Sequence, residues 1–350
     1  MKRTRGSPWA LGVLVTAAAI VAGWALLVPA ADWLATHDVG QVAGSLRTLR
    51  LQTARDAARG RLLTLGAGLF ALGALVFTAR NYGLSREGQA HDRSRVLNER
   101  FIAVAAQLGD DKAAVRLAGV HAMAGLADDW EENRQTCIDV LCAYLRMPYE
   151  PEPPDDVPAQ ERLAFRGGRE VRHTVIRVVT AHLRDNAPVS WQGMNFDFTG
   201  VVFDGGDFTG VVFSGGTVNF DEAVFSGGSV SFGDAQFSGG VVSFDEVVFS
   251  GGVVSFIDAV FSGSRVSFLR AVFSGSGVYL MGARFSGGRV TFAGAWFSGG
   301  VVTFAAARFS GSEVSFTPAR DWSHPPTFPW VGAPPVGVKL PAAAPGSEAQ

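Results

Sequence analysis

The sequence predicts a mixed, three-part architecture: an N-terminal transmembrane α-hairpin, a small all-α domain and then a parallel β-helix. Three observations predict it. Of the 26 Phe, 21 fall between Phe196 and Phe316, nearly all at fixed spacing. Two uncharged apolar stretches stand near the N-terminus, long enough to be considered as spans. Between these regions, apolar residues recur at three- and four-residue steps, the period of a helix. The expected boundaries are 1–90 for the spans and their loop, 91–186 for the helices with a Pro/acidic linker at 150–160, 187–320 for the repeats, and 321–350 for a Pro-rich tail. Composition narrows the classes further. Charged residues make up 18% and the formal net charge is −2, against roughly 25% charged in ordinary domains. No overall basic field argues for nucleic acid. Two cysteines exclude a disulfide scaffold and a multi-cysteine zinc module.

The first apolar stretch runs from Gly6 to Ala31 behind Lys2, Arg3 and Arg5, with Trp9 and Trp33 near its ends. It exceeds the ~20 residues that span a hydrocarbon core. The second, Leu62 to Ala79, is bracketed by Arg61 and Arg80. Its Gly66, Gly68 and Gly73 would allow close packing on Ala18, Ala22 and Gly23 of the first. Basic residues on the outer flanks outnumber those in the loop, which places both ends in the cytoplasm. Val28-Pro29-Ala30 would serve as a signal-peptide cleavage site, but the length of the run favours an uncleaved anchor. The loop 39–61 reads equally as a basic amphipathic helix on the bilayer surface or as a solvated helical connector.

Helical periodicity covers Asp92–Leu108, Asp111–Ala127, Glu131–Arg146 and Glu170–Asp185. Gly109-Asp110-Asp111 and Asp128-Asp129 supply turn and capping chemistry. The segment from Asp111 to Leu126 resembles one unit of a HEAT-type helical repeat. The last helix, with Val171, Val175, Val178, Val179 and Leu183 on one face, leads into the repeats and covers their open end, because an uncovered β-helix end exposes strand edges. Cys137 and Cys142 point about 140° apart on one helix and read as reduced core thiols. His91, His121, His173 and His182 make no metal-ligand pattern. Asp128, Asp129, Glu131 and Glu132 read as a solvated turn.

From Phe213 a twelve-residue unit, F-S-G-G-x-V-x-F-x-x-A-x, repeats without a break. The first Phe recurs at Phe213, Phe225, Phe237, Phe249, Phe261, Phe273, Phe285, Phe297 and Phe309. The second recurs at Phe220, Phe232, Phe244, Phe256, Phe268, Phe292, Phe304 and Phe316, with Leu280 the exception. Before the unit starts, Phe198, Phe203, Phe208 and Phe213 are five apart. Large-x-small alternation puts both residues on one side of a strand. Five-residue spacing is too short for a return hairpin and suits one short face plus a corner, wound continuously. Gly215, Gly227, Gly239 and their successors are expected to supply corner conformations closed to β-branched residues. If four faces close a coil, a coil takes 24 residues and Phe225 stacks on Phe249, Phe273 and Phe297.

Ala223-Val224-Phe225-Ser226-Gly227 and Ala271-Val272-Phe273-Ser274-Gly275 resemble the unit of the pentapeptide-repeat family, with Ala two positions before a central Phe. That resemblance covers 196–320 and implies a right-handed quadrilateral parallel β-helix. The Gly-Gly insertions depart from the family's plain 20-residue coil. The run Gln107–Ala127 is similar to a membrane-proximal segment found beside such repeats in membrane proteins of high-GC bacteria. It implies a bacterial cell membrane protein of two spans with cytoplasmic termini. Some family members are DNA mimics that inhibit a topoisomerase (gyrase), and this is the alternative reading. Residues 196–264 do carry nine acidic residues and no Lys or Arg, but Arg265, Arg270, Arg284, Arg289, Arg308 and Arg320 reverse the sign beyond them.

Seven prolines between 325 and 345 are expected to exclude helix and strand. Trp322, Phe328, Pro329 and Trp330 should fold over the last coil, leaving 336–350 disordered. No catalytic, cofactor or metal residues stand out: there is no calcium-binding nonapeptide, P-loop, Ser-His-Asp, Cys-His or G-x-S-x-G pattern. The expected function is therefore non-enzymatic, without cofactor or small-molecule substrate: a scaffold held in the lipid bilayer, its rod contacting unknown protein partners, with nucleic acid disfavoured. Val224, Val248, Val272 and Trp296 would form an outward apolar row for that contact.

Overall fold

The computed structural model describes residues 29–39, 47–149, 152–154 and 156–342, with single positions at 21, 23 and 24. The chain divides into two compact units, Met1–Ser94 and Arg95–Gln350.

In the first unit, α1 (Ala31–Val39) buries Ala31 and Ala35, and Asp32 pairs with Arg55 at 2.9 Å. Arg55 and the buried Ala58 belong to α2, a helix of 62 residues running from Arg47 to Leu108. The proposed second span is thus the middle of a longer helix, not a segment bounded by loops. Thr64, Gly66, Gly68, Gly73 and Thr78 dilute it, and charged residues continue the helix on both sides. Leu72, Leu75 and Val76 stand exposed on it. Among the described residues no helix is long and apolar enough to cross a membrane. This overturns the transmembrane hairpin and, with it, the two-span membrane location. The first proposed span, Gly6–Ala31, lies almost wholly outside the described residues, as do 40–46 of the connecting loop.

In the second unit, the end of α2 joins α3 (Ala113–Asp129), α4 (Arg134–Arg146) and α5 (Ala159–Leu183), with a 3₁₀ turn at Glu131–Asn133. Leu108, Val120, Met123, Ile138, Leu141, Val175 and Val179 form their shared core. The sequence places the start of α5 at Glu170, after a Pro/acidic linker. It begins instead right after Pro158 and continues through Gly167-Gly168. Packing accounts for the glycine: a Cβ on Gly167 would come within 2.9 Å of Ala113 Cβ, so its absence lets α5 lie close on α3. Residues 150, 151 and 155 of the linker are outside the described set.

Residues 196–316 wind a four-sided parallel β-solenoid that fits the expected right-handed type. Face one carries β1 (Phe196–Asp197), the second halves of β4 (Val212–Asn219) and β7 (Gln236–Ser243), then β11 (Arg265–Ser267), β15 (Arg289–Thr291) and β19 (Glu313–Ser315). Face two stacks β2 (Val202–Phe203), β5 (Val224–Phe225), β8 (Val248–Phe249), β12 (Val272–Phe273) and β16 (Trp296–Phe297). Face three stacks β3 (Gly206–Asp207), β6 (Ser229–Ser231), β9 (Val253–Ser255), β13 (Gly277–Tyr279) and β17 (Val301–Thr303). Face four is formed by the first halves of β4 and β7, then β10 (Val260–Phe261), β14 (Arg284–Phe285) and β18 (Arg308–Phe309).

Register fixes the coil length. Phe203 pairs with Phe225 across the first coil, a step of 22, whereas Phe225 pairs with Phe249 and Phe249 with Phe273, a step of 24. The shorter first coil reflects plain five-residue spacing before the Gly-Gly insertions begin. Inside, the rings stack coil on coil: Phe220 on Phe244 at 4.6 Å, Phe237 on Phe261 at 4.7 Å and Phe249 on Phe273 at 4.8 Å. Ladders from opposite faces meet edge to face, as Phe232 and Phe244 do at 5.9 Å and 85°. Offset stacks and T-contacts are the two arrangements that ring quadrupoles favour.

The corners divide the glycine role differently from expectation. Positive φ belongs to the second glycine of each pair, such as Gly252 at 67°. From Gly239 on, the first position is required for space: a Cβ on Gly275 would sit 2.3 Å from the carbonyl oxygen of Ser250 in the coil below. Where Ser replaces the second glycine, at Ser264, Ser276 and Ser312, it is buried. Ser264 and Ser276 donate to the carbonyls of Gly239 and Gly251 at 2.8 Å.

The tail continues the winding. Asp321 bridges to Trp296, Thr327 to Thr303, and β20 (Val338–Lys339) pairs with β19. The exclusion of strand after Phe316 is therefore wrong. The prolines fall between the paired positions rather than on them, so no ladder donor is lost. Trp322, Phe328 and Trp330 lie 5.1, 5.5 and 5.3 Å from Phe297, Phe304 and Phe309. Residues 343–350 lie outside the described set, whereas 336–342 are ordered into the extra winding.

Candidate protein-contact surface

Strand geometry creates the surface. Along each solenoid face the Phe and Ala point inward, so the residues between them point out. On face two this puts Val224, Val248, Val272 and Trp296 in one register row. The three valines are half-buried by their neighbours and Trp296 is 39% exposed. The guanidinium of Arg320 lies 6.0 Å from the Trp296 ring centre. Exposed Ser226, Ser250, Ser274 and Ser298 edge the row; the last three hydroxyls reach towards Phe carbonyls one coil below, at 3.4–3.5 Å.

The eighteen ladder positions are inside. Phe213, Phe220, Phe225, Phe232, Phe237, Phe244, Phe249, Phe256, Phe261, Phe268, Phe273, Leu280, Phe285, Phe292, Phe297, Phe304 and Phe316 are buried, and Phe309 is half-buried under Trp330. Leu280 interrupts the ring column between Phe256 and Phe304. Cys137 and Cys142 are free and buried, and burial pushes their thiols up to about 11 and about 12, away from reactive thiolate.

A second arrangement was not legible in the sequence. Asp204, on the first coil, accepts hydrogen bonds from Arg169 Nε at 2.6 Å and Tyr149 Oη at 2.8 Å, and lies 2.8 Å from His173 Nε2. Arg172 is buried beside them, donates to the carbonyls of Leu145 and Val202, and lies over the Tyr149 ring at 4.3 Å. Burial alone would raise the Asp204 pKa. The bonds from His173, Tyr149 and Arg169 outweigh it and hold the carboxyl well below the usual range. Burial, and then the bond to Asp204, raises the Tyr149 phenol; burial lowers Arg172. Asp128 plays a parallel part, accepting from Trp191 Nε1 at 2.9 Å and facing His182 Nε2 at 3.2 Å, with the His182 and Trp191 rings stacked.

The Asp204 cluster fastens α5 to the first coil, and the Asp128 cluster ties the end of α3 to α5 and to Trp191 just ahead of that coil. Asp128 is therefore a partnered residue rather than part of a solvated turn, and His173 and His182 are half-buried contacts. The arginine spacing on α5 was a signal for one polar face; its partner, 31 residues away in Asp204, carried none. An open cleft of about 520 Å³ beside the cluster is lined by Arg169, His173, Arg177, Asp204, Gly205 and Ser229 among others. Its acids and bases already satisfy one another.

Residues 198–242 match the family model for pentapeptide repeats, in nine copies. No curated protein and no solved structure matches the chain. The match ends at 242, but the same inward Phe, Val and Ala positions and the 24-residue register continue unchanged to Phe316. Sequence unit, family match and four-sided winding agree: this chain carries pentapeptide repeats, matched over 198–242 and continued by the same unit and register to Phe316.

Proposed function

We propose that the chain is a non-enzymatic scaffold whose solenoid serves as a protein-contact rod. The observation that carries this is the face-two row Val224, Val248, Val272 and Trp296. It is an apolar strip at one-coil intervals on a rigid, ladder-packed support, with Trp296 raised at one end. Partner faces of this kind draw on apolar and aromatic anchors surrounded by small polar residues. A DNA-like acidic rod finds less support. Asp197, Asp204, Asp207 and Glu246 are each paired with an arginine of the same chain, so the acidic half presents a broken rather than a continuous negative strip.

The test is proximity labelling with a biotin ligase fused to the chain. It is run beside a variant carrying Val224→Ser, Val248→Ser, Val272→Ser and Trp296→Ser. The expected result is loss of a defined set of labelled proteins while the thermal unfolding curve keeps its shape. Identical labelled sets from both proteins would remove the row from consideration.

A further inference from the structure

The corner between faces three and four carries a pattern that the Val/Trp row does not use. In the second and third coils the corner residues are Asp234 and Asp258, and the outward residues of face four beside them are Gln236 and Val260. In the fourth and fifth coils the assignment is inverted: the corner residues are Gly282 and Ala306, and the outward residues are Arg284 and Arg308. The stacking is direct. The backbone N–H of Asp234 bonds to Ile257, that of Asp258 to Met281 and that of Gly282 to Ala305. On the face itself, Gln236, Val260, Arg284 and Arg308 are successive register partners.

All four charged residues are exposed. Like charges on neighbouring strands are unfavourable, yet Arg284 and Arg308 are neighbours, as are Asp234 and Asp258. Ion pairs within the solenoid lie elsewhere, at Arg270–Glu246, Arg289–Glu313 and Lys339–Glu313, those to the helices use Asp197, Asp204 and Asp207, and no ion pair among the described residues takes up these four. On the face-three side of this corner, in the two middle coils, sit two of the solenoid's exposed large apolar residues, Ile257 and Met281, each 36% exposed.

We propose that this corner and face four form an isologous interface with a second copy of the chain, the two solenoids running antiparallel. The dyad falls between the third and fourth coils and runs along the strand direction. That operation keeps the same corner edge on the same side, so Ile257 faces Met281 of the other copy at the centre. Asp258 then meets Arg284 and Asp234 meets Arg308, each contact occurring twice as two-fold symmetry requires. The corner at Gly282 and Ala306 carries no charge of its own to repel the opposing aspartates. Spacing matches by construction, because both acids and both arginines are one coil apart. A patch with an apolar centre and complementary charges outside it has the anatomy of a specific interface, and its charges set orientation and salt dependence.

The experiment is sedimentation equilibrium on the full chain with paired charge reversals. One variant carries Arg284→Glu and Arg308→Glu, the other Asp234→Arg and Asp258→Arg. Arg270 already occupies the same left-handed corner conformation, at φ 55°, so arginine is compatible with the backbone there. Near-UV circular dichroism establishes that each variant keeps the native packing. At tens of micromolar and low salt, each variant alone should show half the wild-type mass. An equimolar mixture should recover the wild-type mass, because every contact is again between opposite charges. Added salt should dissociate the wild type. Variants that keep the wild-type mass, a wild type already monomeric, or a mixture that fails to recover would each overturn the interface. None of these outcomes touches the face-two row.

Discussion

At the scale of single residues, backbone demands rather than side-chain chemistry set the strictest requirements. Glu222, Asp234, Glu246, Asp258, Arg270 and Ala306 all hold positive φ between 54° and 58° at corresponding corners. A left-handed conformation costs an L-residue about 1–2 kcal/mol. Ala306 is exposed, and its methyl offers little in return. Ala306→Gly should therefore raise stability by about 1 kcal/mol in urea unfolding, against the usual cost of placing glycine in a strand. Gly275→Ala should do the opposite, by about 2–3 kcal/mol, since its methyl would overlap a backbone carbonyl that cannot swing aside. Asp204 gives a pH signature. Its pKa is lower folded than unfolded, so its stabilising effect is complete above the ordinary carboxylate pKa and fades as pH falls towards the folded value. Acid titration followed by circular dichroism should show Asp204→Asn less stable at neutral pH, with the gap to wild type closing as the medium is acidified.

At the scale of elements, the rings stack in columns along the solenoid, and some of them also meet rings of a neighbouring column edge-on. Phe244 stacks on Phe220 and Phe268 and meets Phe232 and Phe256 edge-on. Phe244→Ala should cost about 3–5 kcal/mol, read from the shift in the urea midpoint at constant slope. A clearly smaller loss would mean that the coil closes up around the gap. The helices obey a different logic. α5 is positioned by a handful of polar contacts to the first coil, through Arg169, Arg172, His173 and Arg184, as well as by its apolar face. Gly167 and the buried face from Val171 to Leu183 bring the helix near α3. The hydrogen bonds then fix its position on the solenoid.

At the scale of the whole molecule, the solenoid has one end covered by helices and the other by its own tail. The tail contributes Trp322, Phe328 and Trp330 to the ring columns and one further strand to face one. A chain ending at Arg320 should expose Phe297, Phe304 and Phe316 and bind the dye ANS. It should also unfold at lower temperature and associate as its concentration rises. Unchanged stability and no dye binding would show that the tail is dispensable as a cover. The net charge of −2 describes the whole poorly, because the acidic and basic residues of the solenoid are segregated by coil. That segregation gives a second copy something to recognise.

The sequence by itself determined the solenoid. Inward Phe, Val and Ala at a fixed period fix which side of each strand is buried, and the five- and seven-residue steps between Phe residues fix the faces and the 24-residue coil. It determined the outward row for the same reason, since alternation leaves those positions no other side. It determined the apolar faces of the helices, though not where α5 begins, because Pro158 and Gly167-Gly168 read as breakers until packing on Ala113 is seen. Only the tertiary structure decided the Asp204 and Asp128 clusters, whose partners are tens of residues apart and follow no period. It also decided the tail, where prolines suppress every local strand signal and Val338 is paired because the preceding coil presents an open edge. The N-terminal reading failed at this boundary too. Local hydropathy marked Leu62–Ala79 as a separate segment, whereas backbone hydrogen bonding runs unbroken through it and makes it the interior of a single 62-residue helix.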